Sequence, residues 1–224
     1  MSRNIDFDAE RASVSGWQAI KSQLTRASIL EATCECISRF GYANTTTPKI
    51  ADIADISRGA MTHHFKSREE VIFAGAEYLY KSRLEEYKKL IAQATESYQQ
   101  INGREPEKLR EVIAQIIRGF WKYFTLPSYY VHLELIVASR TDTRLAEHLE
   151  RLNFEAERVV PQIFKQFMSI FKKSDKTAEL VFDLLFFTLR GMSISYIHDR
   201  KHFRVENMLD HLTRDCLNII NRND

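Results

Sequence analysis

Apolar residues recur every third or fourth position along most of the chain, and no stretch of four or more residues alternates like a half-buried strand. A sequence written in that period has one way to hide its apolar atoms, which is to form amphipathic helices and pack them against each other. The expected fold class is all-α, with about nine helices. Only 7 Gly and 4 Pro in 224 residues leave little material for the turns of a β protein. Apolar residues at 44% are enough for a sizeable core, and charged residues at 28% are too few for wholesale disorder.

The first expected helix carries Ile20, Leu24, Ala27, Leu30, Cys34 and Ile37 as one stripe and ends at Gly41, where glycine can take a positive φ. Thr46 or Thr47 can cap a short second helix, with Pro48 in its first turn and Ile50, Ile53 and Ala54 on its apolar face. After a break at Asp55, Ser57 can cap a third helix that points Ile56, Ala60, Met61 and Phe65 inward. Ser67 and Glu70 form a capping box that opens a long helix through Val71, Ala74, Tyr78 and Leu79 toward Ile91. A polar segment at 95–106 reads as a loop, and helices resume at about 107–125, 128–140, 143–172, 176–198 and 205–221. Asp142 and Ser174 are expected N-caps, and Pro161 predicts a kink.

Two short helices joined by a tight turn, the second exposing small and polar residues, have the form of a helix-turn-helix. Gly59 and Ala60 would let that helix approach a major groove closely, and Arg58 and Lys66 supply cations. A helical hairpin with a solvated outer face has the same periodicity, so the pattern leaves both readings open. Charge adds a hint: residues 1–10 sum to −2, residues 11–68 to +4, and the rest to zero.

Three ordered motifs go further. Arg26-Ala27-Ser28-Ile29-Leu30-Glu31-Ala32 fits R-x-x-I-L-x-A. Gly41-Tyr42-Ala43-Asn44-Thr45-Thr46, with Ile50-Ala51 following, fits G-Y/F-x-x-T-T-x-x-x-I-A. The run from Ile56-Ser57-Arg58-Gly59 through His63-His64-Phe65-Lys66-Ser67-Arg68-Glu69-Glu70-Val71 fits V-S-x-G-x-L-Y-x-H-F-K-S-K-E-E-L. Together they make residues 26 to about 80 resemble the DNA-binding head of the TetR/AcrR family of one-component regulators. Two positions depart from the family: Thr62 stands where Tyr is usual, and Asp55 where Gly is frequent.

The resemblance implies an N-terminal extension (1–25), a three-helix DNA-binding head (26–70) and a larger helical effector-binding and dimerisation domain (71–224). It implies a homodimer on a pseudo-palindromic double-stranded operator, most simply a repressor released by a small effector. An activator, or a DNA-binding protein without ligand response, fits the same residues. Thr46 and Lys66, with Thr45 sharing the role, become phosphate contacts; Arg58, Gly59, Thr62 and His63 face the groove; His64 sits at the seam. Arg11 and Lys21 could form an arm over DNA, though the acidic Asp6, Asp8 and Glu10 favour a frayed tail.

The larger part carries no comparable motif. Its aromatic residues at helical spacing suit a core, and some would line the pocket that the resemblance implies, with an apolar or aromatic effector as its occupant. The candidates are Arg118, Trp121, Phe124, Tyr130, Glu134, Phe164, Phe187 and Arg190. A buried Arg needs a carboxylate, either internal (Glu134 or Asp183) or on an anionic effector. Phe182, Met208, Leu209, Leu212, Cys216 and Ile219 are candidates for a two-fold helical interface.

The remaining features argue by exclusion. Cys34, Cys36 and Cys216 cannot build a disulfide framework or a zinc site, which suits a reducing, cytoplasmic compartment. His132 and His148 are isolated, and His198 and His202 read as surface, so no metal or cofactor is expected. The charged start lacks an apolar signal core, and Asp183 interrupts the longest greasy run, so no membrane association is expected. No nucleophile elbow, Gly-rich phosphate loop or H-E-x-x-H occurs, which leaves a helical enzyme a remote alternative.

Overall fold

The computed structural model describes residues 5–100, 106–201 and 204–222. Nine helices and no strand occur among them: α1 (Ile5–Asn44), α2 (Thr47–Ile53), α3 (Arg58–His64), α4 (Arg68–Gln100), α5 (Pro106–Phe124), α6 (Pro127–Ser139), α7 (Thr143–Ser169), α8 (Asp175–His198) and α9 (Val205–Asn221). Most boundaries fall within a few residues of those expected, and Thr46, Ser57 and Ser174 act as N-caps. Residues 95–100, expected in a loop, are helical. Thr95 Oγ1 donates to Ile91 O (2.9 Å) and the Tyr98 ring lies 4.6 Å from that of Phe171, so packing holds the last turn. The loop residues 101–105 and His202, with the side chains of Arg11 and Phe154, lie outside the described residues.

Residues 5–25 are helical and continuous with the rest of α1, so the frayed-tail expectation is corrected. The expected stripe on α1 is rotated as well. Ile29, Ala32, Thr33, Cys36 and Ile37 are buried, whereas Ile20 and Leu24 are exposed beside Trp17. Cys34 is part-buried, and burial pushes its thiol up to about 12, which keeps it protonated and unreactive.

The chain divides into two compact units. The first comprises Met1–Leu79 and Val131–Ala146. Its core gathers Ile29, Ala32, Cys36, Ile50, Ala51, Met61, Phe65 and Val71, with Leu30, Ile53, Ala54 and Ile56 packed against them. Burying each of these larger side chains contributes about 1.5–3 kcal/mol. α1 and α4 approach closely at Gly75, where a Cβ would lie 2.8 Å from Thr33 Cγ2.

The second unit comprises Tyr80–Tyr130 and Glu147–Asp224. There α5 packs on α8 and α9, and α8 on α9. The aromatic residues form a connected core. Phe124 meets Tyr129 and Phe186 edge-on at 5.1 Å each, and Phe164 joins Phe120 and Phe182 at 6.3 and 5.5 Å. α8 buries Ala178, Val181, Leu185, Leu189 and Met192 while exposing Leu180, Phe187, Ile194 and Ile197. By length and composition α8 could cross a membrane, which corrects the expectation that no segment qualifies; a helix apolar on two faces meets the same criteria.

Candidate functional site

The turn between α2 and α3 is built by backbone chemistry. Ala54 ends α2, Asp55 takes φ 53°, and Ile56 N donates to Ala51 O (3.1 Å). Asp is among the few non-glycine residues that enter this left-handed region at modest cost, so the departure from Gly leaves the turn intact. Ser57 then caps α3, its Oγ accepting from Ala60 N (3.1 Å).

α3 is two-faced. Met61 and, just past its end, Phe65 are buried to 3% and 2% exposure, fixing the helix against the first unit's core. Arg58, Gly59, Thr62, His63 and Lys66 are all exposed, on the side expected to face a groove. Thr62 Oγ1 donates to Arg58 O (2.8 Å), leaving its lone pairs outward. Lys66 Nζ donates to Thr62 O (3.1 Å), holding its charge at the end of α3. Lys66 N donates to Glu70 Oε2 (2.6 Å) and Glu70 N to Ser67 Oγ (3.0 Å), the reciprocal pattern of a capping box.

The two histidines differ. Their rings meet edge-on at 5.2 Å. His63 is exposed, while His64 is partly buried and its pKa is lowered by desolvation, then by His63 and Arg26. The neutral form of His64 is therefore favoured, which suits a seam residue more than a phosphate ligand. Thr46 is partly buried, and its hydroxyl accepts from Lys49 N (3.5 Å) as the α2 cap. Thr45 is a correction: it is fully buried, and its Oγ1 donates to Gly41 O (2.8 Å), so its side chain cannot reach a phosphate.

What fixes Thr45 was not anticipated from the sequence. Arg68 Nε donates to Thr45 O (2.6 Å), its Nη2 donates to Tyr42 O, and its guanidinium lies 4.6 Å from the Tyr42 ring centre. Tyr42 N donates to Glu134 Oε1 (2.8 Å), and the Tyr42 hydroxyl donates to Asp142, the cap of α7. Gly41, at φ 75°, makes room for this: a Cβ there would stand 3.0 Å from Glu134 Oε1. Glu134 is thus part of the first unit's frame and is withdrawn from the effector candidates.

The other effector candidates scatter. Arg118 is about half exposed and pairs with Glu206 (3.1 Å) and Asp210 (3.7 Å) of α9, not with Glu134 or Asp183. Phe187 is 64% exposed, so neither residue lines an enclosed site. Phe124 and Phe164 are core. Trp121 stands edge-on to Tyr196 at 5.3 Å, and Arg190 lies 5.2 Å from the Phe186 ring centre. Tyr130 is partly buried, and its hydroxyl has no hydrogen-bond partner.

The interface candidates divide in the same way. Leu209, Leu212 and Cys216 are 2%, 4% and 1% exposed within a single chain, so they fill its own core and cannot meet a partner. Phe182 stacks on Phe186 at 5.0 Å. Ile219 is partly buried, and Met208 remains exposed. The exposed apolar residues Leu180, Phe187, Ile194 and Ile197 lie on α8 instead.

A second polar centre also escaped the sequence reading. Arg83 is only 7% exposed, with its guanidinium carbon 4.4 Å from the Tyr123 ring centre and 4.9 Å from that of Tyr129. In "KSRLEEYKKL" it looks like one surface charge among several. The signal was its register: Leu79, Arg83, Tyr87 and Ile91 are four apart, and all four are buried.

Comparison with known proteins agrees with the first unit's geometry. Residues 29–74 match the family described as bacterial regulatory proteins, tetR family. The chain is 26% identical over 201 residues to the HTH-type transcriptional regulator CymR of Pseudomonas putida, spanning 88% of this chain and 93% of that protein. A crystal structure assigned to the tetR family from Mesorhizobium loti superposes with a TM-score of 0.67 at 11% identity, covering 89% of this chain and 96% of that one. The multidrug binding protein EbrR, solved with imidazole, superposes with a TM-score of 0.53 at 15% identity, covering 89% and 96%.

Proposed function

We propose that the chain, whose residues 29–74 match the tetR family of bacterial regulatory proteins, is a ligand-responsive repressor acting in the cytoplasm as a homodimer. The observation that carries this is the two-faced α3. A helix pinned by Met61 and Phe65 that leaves Arg58, Gly59, Thr62, His63 and Lys66 in the open has its missing partner outside the chain. Double-stranded DNA suits that surface in size, charge and hydrogen-bonding capacity.

One short reading helix binds weakly, so affinity requires two copies on adjacent half-sites. The outward face of α8, with Leu180, Phe187, Ile194 and Ile197, supports a helical two-fold interface. An effector held in the second unit would act by binding more tightly to the state whose reading helices do not fit the operator. α4 is the covalent route for that coupling: its residues to Leu79 belong to the first unit and those from Tyr80 to the second. EbrR binds imidazole, which supports a small-molecule role for such a second unit.

The test is fluorescence anisotropy on duplexes tiled across the intergenic DNA upstream of the chain's own gene. Binding should weaken steeply with salt, and Arg58→Ala should cost about 1–3 kcal/mol per half-site. A folded protein that binds none of these duplexes specifically, or whose binding ignores salt, would sink the reading.

A further inference from the structure

The first half of α1 lies ahead of the segment that matches the family, which begins at Ile29, and its apolar side is uncovered. From Gly16 to Leu24 every residue is exposed, and Trp17, Ile20 and Leu24 leave 74%, 52% and 67% of their surface in the open. These three share one helix face, so they form a stripe rather than scattered apolar residues. Propensity does little to hold the helix here, because Ser13, Ser15, Gly16 and Ser22 are weak helix formers. A helix of that kind draws its stability from covering its apolar face. By register, Phe7, Glu10, Val14, Trp17, Lys21 and Leu24 occupy successive a and d positions of a heptad, at spacings of 3, 4, 3, 4 and 3. The seam ends where Ser28 and Glu31 take the next two positions. Two of its six members are charged, and they carry opposite signs. The charges of the whole segment are sorted in the same way: residues 1–10 hold Asp6, Asp8 and Glu10 against Arg3, whereas residues 11–30 hold only Arg11, Lys21 and Arg26.

We propose that this seam is a self-association surface on which the same helix of a second copy of the chain lies antiparallel. In an antiparallel pair an a position of one helix faces a d position of the other. Phe7 then meets Leu24, Val14 meets Trp17, and Glu10 meets Lys21, each pair occurring twice about a two-fold axis. The two charges that interrupt the apolar seam neutralise one another, and the acidic start of each helix runs along the basic stretch of its partner. A parallel pair would instead stack Glu10 on Glu10 and Lys21 on Lys21, which repel. Operator DNA is the poorer occupant. Phosphate recruits cations and hydrogen-bond donors and repels Asp6, Asp8 and Glu10, and it has no use for the apolar Trp17, Ile20 and Leu24. The seam lies in the first unit and the exposed α8 face in the second, so the two are separate surfaces. Six layers make a short coiled coil, and the contact is weak by itself, which calls for a measurement that captures transient pairs.

The test is disulfide trapping in the full chain, oxidised with copper phenanthroline at high chain concentration and read on a non-reducing gel. Residues 7 and 24 of one helix stand about 25 Å apart along its axis, beyond the reach of a disulfide, so Phe7→Cys/Leu24→Cys can bridge only between chains. The double variant should give a covalent dimer at roughly 5-fold or more the yield of either single variant or of the parent chain. Glu10→Lys and Lys21→Glu, each added to the cysteine pair, should cut that yield by roughly 3-fold or more, and the two together should restore it. Lys21 and Leu24 are exposed, so these variants should fold, and circular dichroism checks that they do. A folded double variant that is not trapped, or a double charge swap that traps as poorly as the single swaps, would overturn the proposal. Trapping of Phe7→Cys alone at the same yield would mark a parallel pair and overturn it as well. An untrapped helix whose Lys21→Glu variant binds operator DNA more weakly and with a shallower salt slope would be an arm over DNA instead.

Discussion

Replacing Arg68 with Ala should destabilise the first unit by about 2–4 kcal/mol. The estimate comes from what the side chain holds. Its Nε donates to the carbonyl of the fully buried Thr45 at 2.6 Å, in the turn between α1 and α2, and its Nη2 to the carbonyl of Tyr42, in the last residues of α1. Hydrogen bonds to a charged group contribute about 1.5–3 kcal/mol each, and a partly exposed cation–π contact about 0.5–1 kcal/mol. The sum is reduced because water can reach the part-buried Tyr42 carbonyl, and because contacts sharing one side chain are not additive. With a urea m-value of about 1–3 kcal/mol/M, the midpoint should fall by roughly 1–2 M. Arg68→Lys keeps the charge but cannot reach both carbonyls, so about half the loss should remain. Urea titration followed by circular dichroism measures this, with DNA binding taken in parallel under folding conditions. The rival role for an exposed-looking arginine in such a head is a phosphate contact. In that case Lys would rescue binding, Ala would lower the salt slope by about 1, and stability would not change. A midpoint for Arg68→Ala within about 0.2 M of the parent would refute the reasoning.

Two further outcomes follow from the same geometry. Phe187→Asp places a charge on the exposed α8 face and should yield a folded monomer by light scattering, whereas Leu212→Asp should unfold the second unit because Leu212 is 4% exposed within one chain; a dimeric Phe187→Asp would exclude that face. Asp142 is held below its ordinary 3.8, first by the hydrogen bond from Tyr42 and then by the Leu145 N–H; its stabilisation is complete above 3.8 and is lost as pH falls through the lowered folded value. Tyr42→Phe should therefore lower the urea midpoint at pH 7 but progressively less at pH 3.5 and below, and a gap that stays constant with pH would remove Asp142 from the account.

How much of this was legible depends on which physical question the sequence answers. Capping and turn chemistry is local, and Thr46, Ser57, Ser174 and the left-handed Asp55 can all be read from neighbours within four positions. So can the inward set of α3, because Met61 and Phe65 have to share a face in a helix that short. Periodicity alone says that a helix has an apolar side but not what covers it. On α1 two stripes compete, and packing selected Ile29, Ala32 and Cys36 over Ile20 and Leu24. On α9 the stripe Leu209, Leu212, Cys216 reads equally well as an interface or as core, and α5 and α8 already cover it. α8 is apolar on two faces, and the single chain covers one of them, leaving Leu180, Phe187, Ile194 and Ile197 exposed. Charged residues fail in the opposite direction, because an arginine in a polar run reads as solvated. Arg118, in a greasy segment, is on the surface with acidic partners, while Arg83, in a charged segment, is buried between tyrosines. What separates them is register rather than neighbours: Arg83 occupies the buried stripe of α4 between Leu79 and Tyr87, the position where an apolar side chain would be the stabilising choice.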